Sequence, residues 1–367
     1  MISTGLYIHV PFCSGKCWYC DFYSICGSAY EMDTFLRAIK EEIQLIRRQV
    51  LNHEEICLET IFIGGGTPTS LEPDQIRRLG EIIDENFQKT PDCEFSIEAN
   101  PESLSPVKMS TIREIGVNRL SIGTQTFNPG LLKAIGRRHT GEQTIRAMDL
   151  ARSTGIKNIS LDLIFGLPDQ TLDQFQMDLT TAATLGPEHL SCYALTLEPG
   201  TKLYETMHPR TDADEILLVR MFHLAHDFLT AIGFEHYEIS NYALPGRRCR
   251  HNFRYWQNLD YMGLGPAAAG FLNRSRYKNV SDFSEYWKSL LTQDRRPIES
   301  EEHLADHEFA GETAMLNLRT HEGIVRSKFQ AQTGYDPFEF FAEPIRKFVD
   351  LGLLEIQEDR IFLSLRG

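Results

Sequence analysis

Three cysteines share one short stretch near the N-terminus, Cys13-Ser14-Gly15-Lys16-Cys17-Trp18-Tyr19-Cys20, in the spacing C-x3-C-x2-C. An apolar run over residues 6–10 precedes them and predicts a β-strand that Pro11 ends. Three thiolates on one loop can hold three corners of a soft-metal site, whereas a cubic iron–sulfur cluster normally takes four cysteines. With three, one iron stays open to a ligand that does not come from the protein. The spacing therefore predicts a [4Fe-4S] cluster held by Cys13, Cys17 and Cys20.

Structural zinc is the alternative at this loop. Zinc takes four closed ligands, and Cys26 or His9 can supply the fourth. The sequence has no second C-x2-C pair, and its other cysteines are scattered singly, at Cys57, Cys93, Cys192 and Cys249. This pattern favours the iron–sulfur cluster over zinc.

Length and charge argue against several classes of protein. The 367 residues suffice for one large domain and a smaller one. A net charge of −14 disfavours a general binder of nucleic acid or of anionic membranes, since either needs a basic face. No run resembles a transmembrane span, and residues 1–5 leave no room for a signal peptide. The cysteines show no secreted-scaffold pattern, so we expect a reducing, cytoplasmic setting.

Strand-like and helix-like runs alternate from the first strand to about residue 232. The predicted strands cover residues 6–10, 60–63, 93–99, 119–123, 158–165 and 189–196. The predicted helices cover residues 33–49, 73–87, 105–115, 140–153, 171–185 and 214–232. Such a succession of strand–helix units predicts a parallel sheet, either open and doubly wound or curled into a barrel.

Polar motifs fall where these strands end. Gly64-Gly65-Gly66-Thr67-Pro68 ends the second strand, Glu98 the third and Thr196 the sixth, while Gln125 follows the fourth. Asp162 lies within the largely apolar fifth strand, so its carboxylate needs a partner. The cysteine loop follows the first strand. Parallel α/β folds build their sites at this edge, so the sequence predicts one active site beside the cysteines.

The alternation stops past residue 235. Residues 242–266 are rich in aromatic residues, glycine and arginine. From residue 306 the sequence predicts helices at 308–318, 324–333 and 339–351, then short strands at 353–357 and 360–363. Three helices and a hairpin are similar to a winged-helix module, which often binds DNA, but the acidic chain favours a packing or lid role. We therefore predict three parts: 1–235, 236–305 and 306–367.

The cysteine loop, following Tyr7-Ile8-His9-Val10-Pro11-Phe12, resembles that of the radical S-adenosylmethionine (SAM) superfamily. The branch it most resembles holds the oxygen-independent coproporphyrinogen III oxidases of the HemN type and the haem chaperones of the HemW type. Gly166-Leu167-Pro168 and the run 237–242 also match this branch, so the resemblance covers essentially the whole chain. It implies an α/β fold: a partial (β/α)6 barrel with a C-terminal helical, winged-helix-like HemN-type module.

The resemblance also implies a SAM site. Matching positions bind SAM in the HemN family, and here they are Tyr7, Tyr19, Gly65, Gly66, Thr67, Glu98, Gln125, Arg137, Asp162 and Thr196. The amino and carboxylate groups of SAM would occupy the open iron. An electron, from a donor such as a flavodoxin, would then cleave SAM to methionine and a 5′-deoxyadenosyl radical.

Three features separate the two types within the branch. Phe22 stands where HemN-type enzymes have a fourth cysteine, and the first cysteine at residue 13 leaves no room for their long N-terminal arm. The run His251-Asn252-Phe253-Arg254-Tyr255-Trp256 has the H-N-x-x-Y-W motif of the HemW type. The resemblance therefore implies haem binding and delivery to haem-dependent membrane enzymes. The alternative is radical decarboxylation of coproporphyrinogen III.

His251 is the candidate haem ligand, and Cys249 is a rival axial ligand. Tyr255 and Trp256 can cover a porphyrin face. Three nearby arginines can meet the haem propionates: Arg247, Arg248 and Arg250. His251 can equally be a hydrogen-bonded residue that helps the C-terminal part pack on the barrel, and the sequence leaves both roles open.

Overall fold

The computed structural model describes residues 2–51, 55–207 and 210–367. Within these ranges the strands are β1 (Ile2–Val10), β2 (Ile56–Gly65), β3 (Gln88–Ala99), β4 (Arg119–Gln125), β5 (Ile159–Phe165), β6 (His189–Ala194), β7 (Glu235–Glu238), β8 (Asn241–Ala243), β9 (Tyr261–Leu264), β10 (Ala269–Leu272), β11 (Ser275–Asn279), β12 (Ile298–His303), β13 (Ile324–Val325), β14 (Leu354–Gln357) and β15 (Arg360–Leu363). The helices are α1 (Ala29–Gln49), α2 (Pro73–Asn86), α3 (Pro106–Glu114), α4 (Pro129–Ala134), α5 (Gly141–Ser153), α6 (Leu172–Thr184), α7 (Lys202–Thr206), α8 (Asp212–Ala231), α9 (Arg250–Trp256), α10 (Phe283–Leu291), α11 (Asp306–Leu318), α12 (Arg326–Thr333), α13 (Pro337–Phe340) and α14 (Ala342–Asp350).

One large sheet organises the fold, with strand order β12-β11-β10-β9-β1-β2-β3-β4-β5-β6-β8-β7. Strands β1 to β6 pair in parallel in chain order, and their crossovers carry the helices that cover the outer face. The sheet is curled, because one cavity is lined by side chains from all of these strands, including Tyr7, Phe62, Glu98, Asp162 and Tyr193. This arrangement confirms the predicted partial (β/α)6 barrel.

Local sequence explains where the first helices begin. Ser28 caps α1, and the Glu31 carboxylate accepts hydrogen bonds from the Ser28 backbone N–H and hydroxyl, each at 2.7 Å. Helix α2 begins at Pro73, whose missing N–H costs nothing in the first turn. The inward faces of these helices bury Phe35, Ile39 and similar residues against the sheet, in one continuous core.

The structure extends several predicted elements and adds others. β2 begins at Ile56 and β3 at Gln88, earlier than their apolar runs suggest. Short helices α4 and α7 lie in stretches where the sequence predicted none. These additions are too short for a periodic pattern, so sequence reasoning has little to detect there.

Residues 236–305 contribute strands to both edges of the large sheet. On one side β8 pairs with β6, and β7 pairs with β8, both antiparallel. On the other side β9 pairs in parallel with β1, and β10 to β12 continue the sheet in antiparallel fashion. The segment between them includes α9, which carries the H-N-x-x-Y-W motif.

The C-terminal module has its own small core, which includes Ala310, Phe329, Ile345 and Ile361. Its three-stranded sheet has the order β13-β15-β14. The predicted helix over 324–333 is shorter than expected, because residues 324 and 325 form β13 and the helix begins at Arg326. Throughout the described ranges, none of the helices combines the length and apolarity that a bilayer crossing requires.

Candidate functional site

A cavity of about 640 Å³ lies inside the barrel and opens beside the cysteine loop. All three cysteines of the loop line it. So do the other residues proposed for the SAM site: Tyr7, Tyr19, Gly65, Gly66, Thr67, Glu98, Gln125, Arg137, Asp162 and Thr196. The fold thus gathers these predicted residues in one place, whereas the two candidate haem ligands, His251 and Cys249, do not line the cavity.

Hydrogen bonds fix the cysteine loop at the mouth of this cavity. The Cys13 N–H donates to the Ile25 carbonyl at 2.9 Å, and the Trp18 N–H donates to the Ile135 carbonyl at 3.0 Å. The Cys13 sulfur lies 3.3 Å from the Thr67 hydroxyl. Burial raises the pKa of the Cys20 thiol to about 11, so a bound metal would have to displace its proton. Three half-buried thiols beside one cavity are a donor set that fits an iron–sulfur cluster.

The candidate zinc ligands are placed differently. The His9 Nε2 lies 2.9 Å from the Tyr23 carbonyl, which requires an N–H there, and its Nδ1 accepts from the Tyr7 hydroxyl at 3.1 Å. Cys26 is exposed and is absent from the cavity lining. Among the described residues, no three His, Cys, Asp or Glu side chains converge closely enough to hold a single metal ion. The cluster assignment, which spreads the cysteines around several irons, stays a prediction.

The glycine-rich loop packs directly against the cysteine loop. The Gly66 N–H donates to the Val10 carbonyl, and the Thr67 N–H donates to the Phe12 carbonyl, both at 2.8 Å. A Cβ added to Gly66 would lie 2.8 Å from the Phe12 oxygen and 3.1 Å from the Cys13 sulfur. The missing side chain therefore allows the two loops to touch, in addition to any ligand approach.

Arg137 ties the cysteine loop to the ends of β3 and β4. Its guanidinium donates to the Asn100 side-chain oxygen at 2.8 Å, to the Gly123 carbonyl, and to the Cys17 sulfur at 3.6 Å. Gln125 adopts a left-handed φ of 63°, at an irregularity in the pairing of β4 with β5. Such backbone strain in a residue other than glycine is typical of functional sites.

Two half-buried acidic residues, Glu98 and Asp162, face the cavity below this rim. Asp162 accepts hydrogen bonds from the Ser121 hydroxyl at 3.0 Å and the Ser160 hydroxyl at 3.1 Å, while Glu98 accepts from the Gly65 N–H at 3.2 Å. Burial and then repulsion by Asp162 raise the pKa of Glu98 to about 8. Burial also raises the pKa of Asp162, against the opposing effect of its serine hydroxyl partners. A pair of acids held this way is suited to a cationic ligand.

His251 is fully buried beneath the cavity floor. Its Nδ1 pairs with the Thr60 hydroxyl and its Nε2 with the Tyr255 hydroxyl, each at 2.8 Å, and its ring stacks on Phe62. Burial lowers the pKa of His251 to about 3, so the ring is neutral. Neither nitrogen is free for a haem iron in this arrangement, which favours the packing role over the ligand role. Cys249 is likewise buried, with its sulfur directed to Glu94.

The residues around His251 are also engaged elsewhere. Arg248 pairs with Glu235, and Arg250 pairs with Asp92. Trp256 lies under the Arg319 guanidinium, and the Trp256 carbonyl accepts from the Asn317 side chain at 2.9 Å. Helix α9 therefore connects the barrel to the C-terminal module.

Sequence reasoning did not single out several residues that line the cavity. They are Asn100, Arg119, Ser121 and Gly123. Arg119, Ser121, Gly123 and Gln125 alternate along β4, so the period-two pattern of that strand is the signal that could have found them.

Comparison with known families agrees with this architecture. The sequence profile of the Radical SAM superfamily matches residues 7–182, and that of the HemN C-terminal domain matches residues 304–367. The curled parallel sheet with a three-cysteine loop at its carboxyl edge is thus of the radical SAM class.

Curated relatives define the family within this class. The heme chaperone HemW of Bacillus subtilis is 35% identical over 98% of this chain and 95% of its own length. The heme chaperone HemW of Escherichia coli is 38% identical over 72% of this chain and 69% of its own length. Among solved structures, coproporphyrinogen III oxidase (HemN) of Escherichia coli aligns with a TM-score of 0.85 at 25% identity, over 99% of this chain and 87% of that one. The chain belongs to the HemW family of radical SAM proteins.

Proposed function

We propose that this protein is a haem chaperone that binds a [4Fe-4S] cluster, SAM and haem, and passes the haem to haem-dependent enzymes. The observation that carries the proposal is the 35% identity to a heme chaperone over 98% of the chain. The H-N-x-x-Y-W motif on α9 and the cavity beside the cysteines support the same reading.

The side chains that line the cavity would divide the work of binding. Cys13, Cys17 and Cys20 would hold the cluster, which supplies the electron for SAM cleavage when it is reduced. Arg137, close to Cys17, can orient a carboxylate near that loop. Glu98 and Asp162 can offset the positive charge of SAM.

The remaining contacts of the SAM site would come from the rim. Gly65, Gly66 and Thr67 are beside Cys13, where backbone groups can meet the amino group of SAM. Tyr7, Tyr19, Gln125 and Thr196 would close the site around the ligand. We further propose an electron donor such as a flavodoxin, haem-accepting membrane enzymes as partners, and a cytoplasmic location.

Oxidation of coproporphyrinogen III is the second candidate function. The structural similarity to the Escherichia coli oxidase, with a TM-score of 0.85, favours it. Phe22 argues against it, because an exposed phenylalanine at the cavity mouth replaces the cysteine expected in that type of enzyme.

One anaerobic experiment separates the two candidates. Reconstituted protein receives SAM, a reductant and either haem or coproporphyrinogen III, with a HemN-type oxidase as the positive control. We expect a stoichiometric haem absorption spectrum and no protoporphyrinogen, followed by transfer of haem to an apo-form of a haem enzyme. Turnover of coproporphyrinogen at a rate similar to that of the control would replace the chaperone with the oxidase.

A further inference from the structure

Arg119 is the first residue of β4, and its side chain points into the barrel. Only 2% of its surface is exposed, yet it lines the cavity described above. A guanidinium keeps its positive charge in proteins and has five N–H donors, so burial is costly unless acceptors surround it.

The part of the chain that the structure describes supplies no such acceptor for this guanidinium. Its Nε is buried without a hydrogen-bond partner. Across residues 2–51, 55–207 and 210–367, no carboxylate oxygen lies within 4.0 Å of its nitrogens. Arg254 is also buried, but it pairs with Glu59 at 2.5 Å and donates to the Asp260 carbonyl at 2.9 Å. Arg119 therefore differs from a buried arginine that serves only the fold.

The acids nearest to Arg119 are committed to other donors. Asp162 accepts from Ser121 and Ser160, and Glu98 accepts from the Gly65 N–H. Glu94, on the far side, accepts from the backbone N–H groups of residues 250 and 251. These carboxylates lower the electrostatic potential around Arg119 without forming a hydrogen bond to its buried Nε.

The position of Arg119 separates it from the cluster loop. Gln125, at the other end of β4, lines the cavity rim beside the cysteines. At a rise of about 3.3 Å per residue, the backbones of these residues are roughly 20 Å apart. Between them Ser121 and Gly123 line the same wall, and Asn252 and Tyr255 of α9 also line the cavity. The cavity thus continues from the cysteines toward the guanidinium of Arg119, for which the described residues supply no carboxylate partner.

We propose that Arg119 anchors a carboxylate of the ligand that enters the barrel, with a propionate of the tetrapyrrole cargo as the favoured source. The inference rests on the proposed function, which supplies carboxylate ligands of two kinds, haem propionates and the SAM carboxylate. A guanidinium can bind either carboxylate through two parallel hydrogen bonds. The SAM carboxylate belongs at the open iron in that function, at the opposite end of β4, so the propionate fits Arg119 better.

The test measures binding to wild-type protein, Arg119→Gln and Arg119→Lys. Haem and haem dimethyl ester are titrated by absorbance, and SAM by equilibrium dialysis on reconstituted protein. We expect wild-type protein to bind haem roughly tenfold or more tightly than its ester. Arg119→Gln should lose this preference, Arg119→Lys should keep part of it, and neither should alter SAM binding.

A matched control is Arg152→Gln, because Arg152 pairs with Glu188 and does not line the cavity. It should leave haem and SAM binding unchanged. Thermal unfolding of each variant provides an independent readout. Arg119→Gln loses no hydrogen-bond partner, so it should unfold at a temperature closer to that of wild type than Arg254→Gln, which loses Glu59 and the Asp260 carbonyl.

The outcomes show which ligand supplies the carboxylate that binds Arg119, or they overturn the proposal. Weaker SAM binding in Arg119→Gln, with haem unaffected, keeps the carboxylate site and assigns it to SAM. Unchanged binding of both ligands overturns the inference while the proposed function stands. Wild-type protein that binds neither haem nor SAM overturns the proposed function, and the inference with it.

Discussion

Replacing Glu98 with glutamine should stabilise the cofactor-free protein at alkaline pH and at the same time weaken SAM binding. Glu98 is half-buried in the cavity wall, where desolvation and the nearby Asp162 raise the pKa of its carboxyl from the usual 4.5 to about 8. Glutamine has the same shape, and its carbonyl can still accept the hydrogen bond from the Gly65 N–H. The substitution therefore removes the ionisable group with little change in packing.

The sign of the effect follows from proton binding. Between the unfolded pKa of 4.5 and the folded pKa of about 8, the folded protein holds a proton that the unfolded chain has released. The free energy of unfolding therefore falls as the pH rises through this window. Each tenfold change in an ionisation constant corresponds to about 1.4 kcal/mol, so the full penalty approaches roughly 5 kcal/mol above the folded pKa. Because Glu98 and Asp162 interact, part of this penalty belongs to Asp162. We therefore expect Glu98→Gln to raise the free energy of unfolding above the folded pKa by about 2–4 kcal/mol.

Urea unfolding of wild type and Glu98→Gln at pH 5 and pH 9 measures this difference. The variant should be the more stable protein at pH 9, and the two should nearly coincide at pH 5. Glu142→Gln, on an exposed helix surface, is the control and should show no such pH dependence. Equal stability at pH 9, or SAM binding by Glu98→Gln as tight as in wild type, would refute the view that Glu98 is a desolvated acid kept for a cationic ligand.

The remaining expectations concern the cysteine loop, the second acid and α9. Cys17→Ala should abolish the cluster, measured as about four irons and four sulfides per chain after anaerobic reconstitution, while Cys26→Ala should retain it; a normal cluster in Cys17→Ala would contradict the assignment. Asp162→Asn should weaken SAM binding roughly tenfold or more with the cluster spectrum intact, and unaltered affinity would make Asp162 a scaffold residue. His251→Ala should lower the free energy of unfolding by about 2–4 kcal/mol, because two buried hydroxyls lose their partner, and should leave the haem spectrum unchanged; an altered spectrum would return His251 to the role of ligand.

The alternation of the sequence by itself determined the parallel α/β class and the position of the cysteine loop, and it left open whether the sheet stays open or curls into a barrel. Six strands alternating with helices can only form a parallel sheet, and the structure has them in chain order. Residues at the carboxyl ends of such strands share one edge, so the sequence alone groups Glu98 and Gln125 with the cysteines. These features arise from local patterns that repeat along the chain, so they can be predicted from the sequence.

Tertiary structure alone decided what happens to residues 236–305. Strands β9 to β12 pair beyond β1, and β8 pairs with β6, although these partners are far apart in sequence. Short strands carry little periodic signal, and their pairing depends on contacts that close long loops.

The role of α9 and the isolation of Arg119 were also decided by tertiary contacts. The sequence around His251 is the same whether the histidine binds haem or packs beneath the cavity. The two roles are distinguished by the hydrogen bonds of its two ring nitrogens to the hydroxyls of Thr60 and Tyr255. An arginine at a strand start is ordinary in sequence, because burial and the lack of an acid partner are properties of the surroundings. Spacing along a chain specifies which groups lie on one face, whereas hydrogen-bond partners come from distant elements that only the folded barrel brings together.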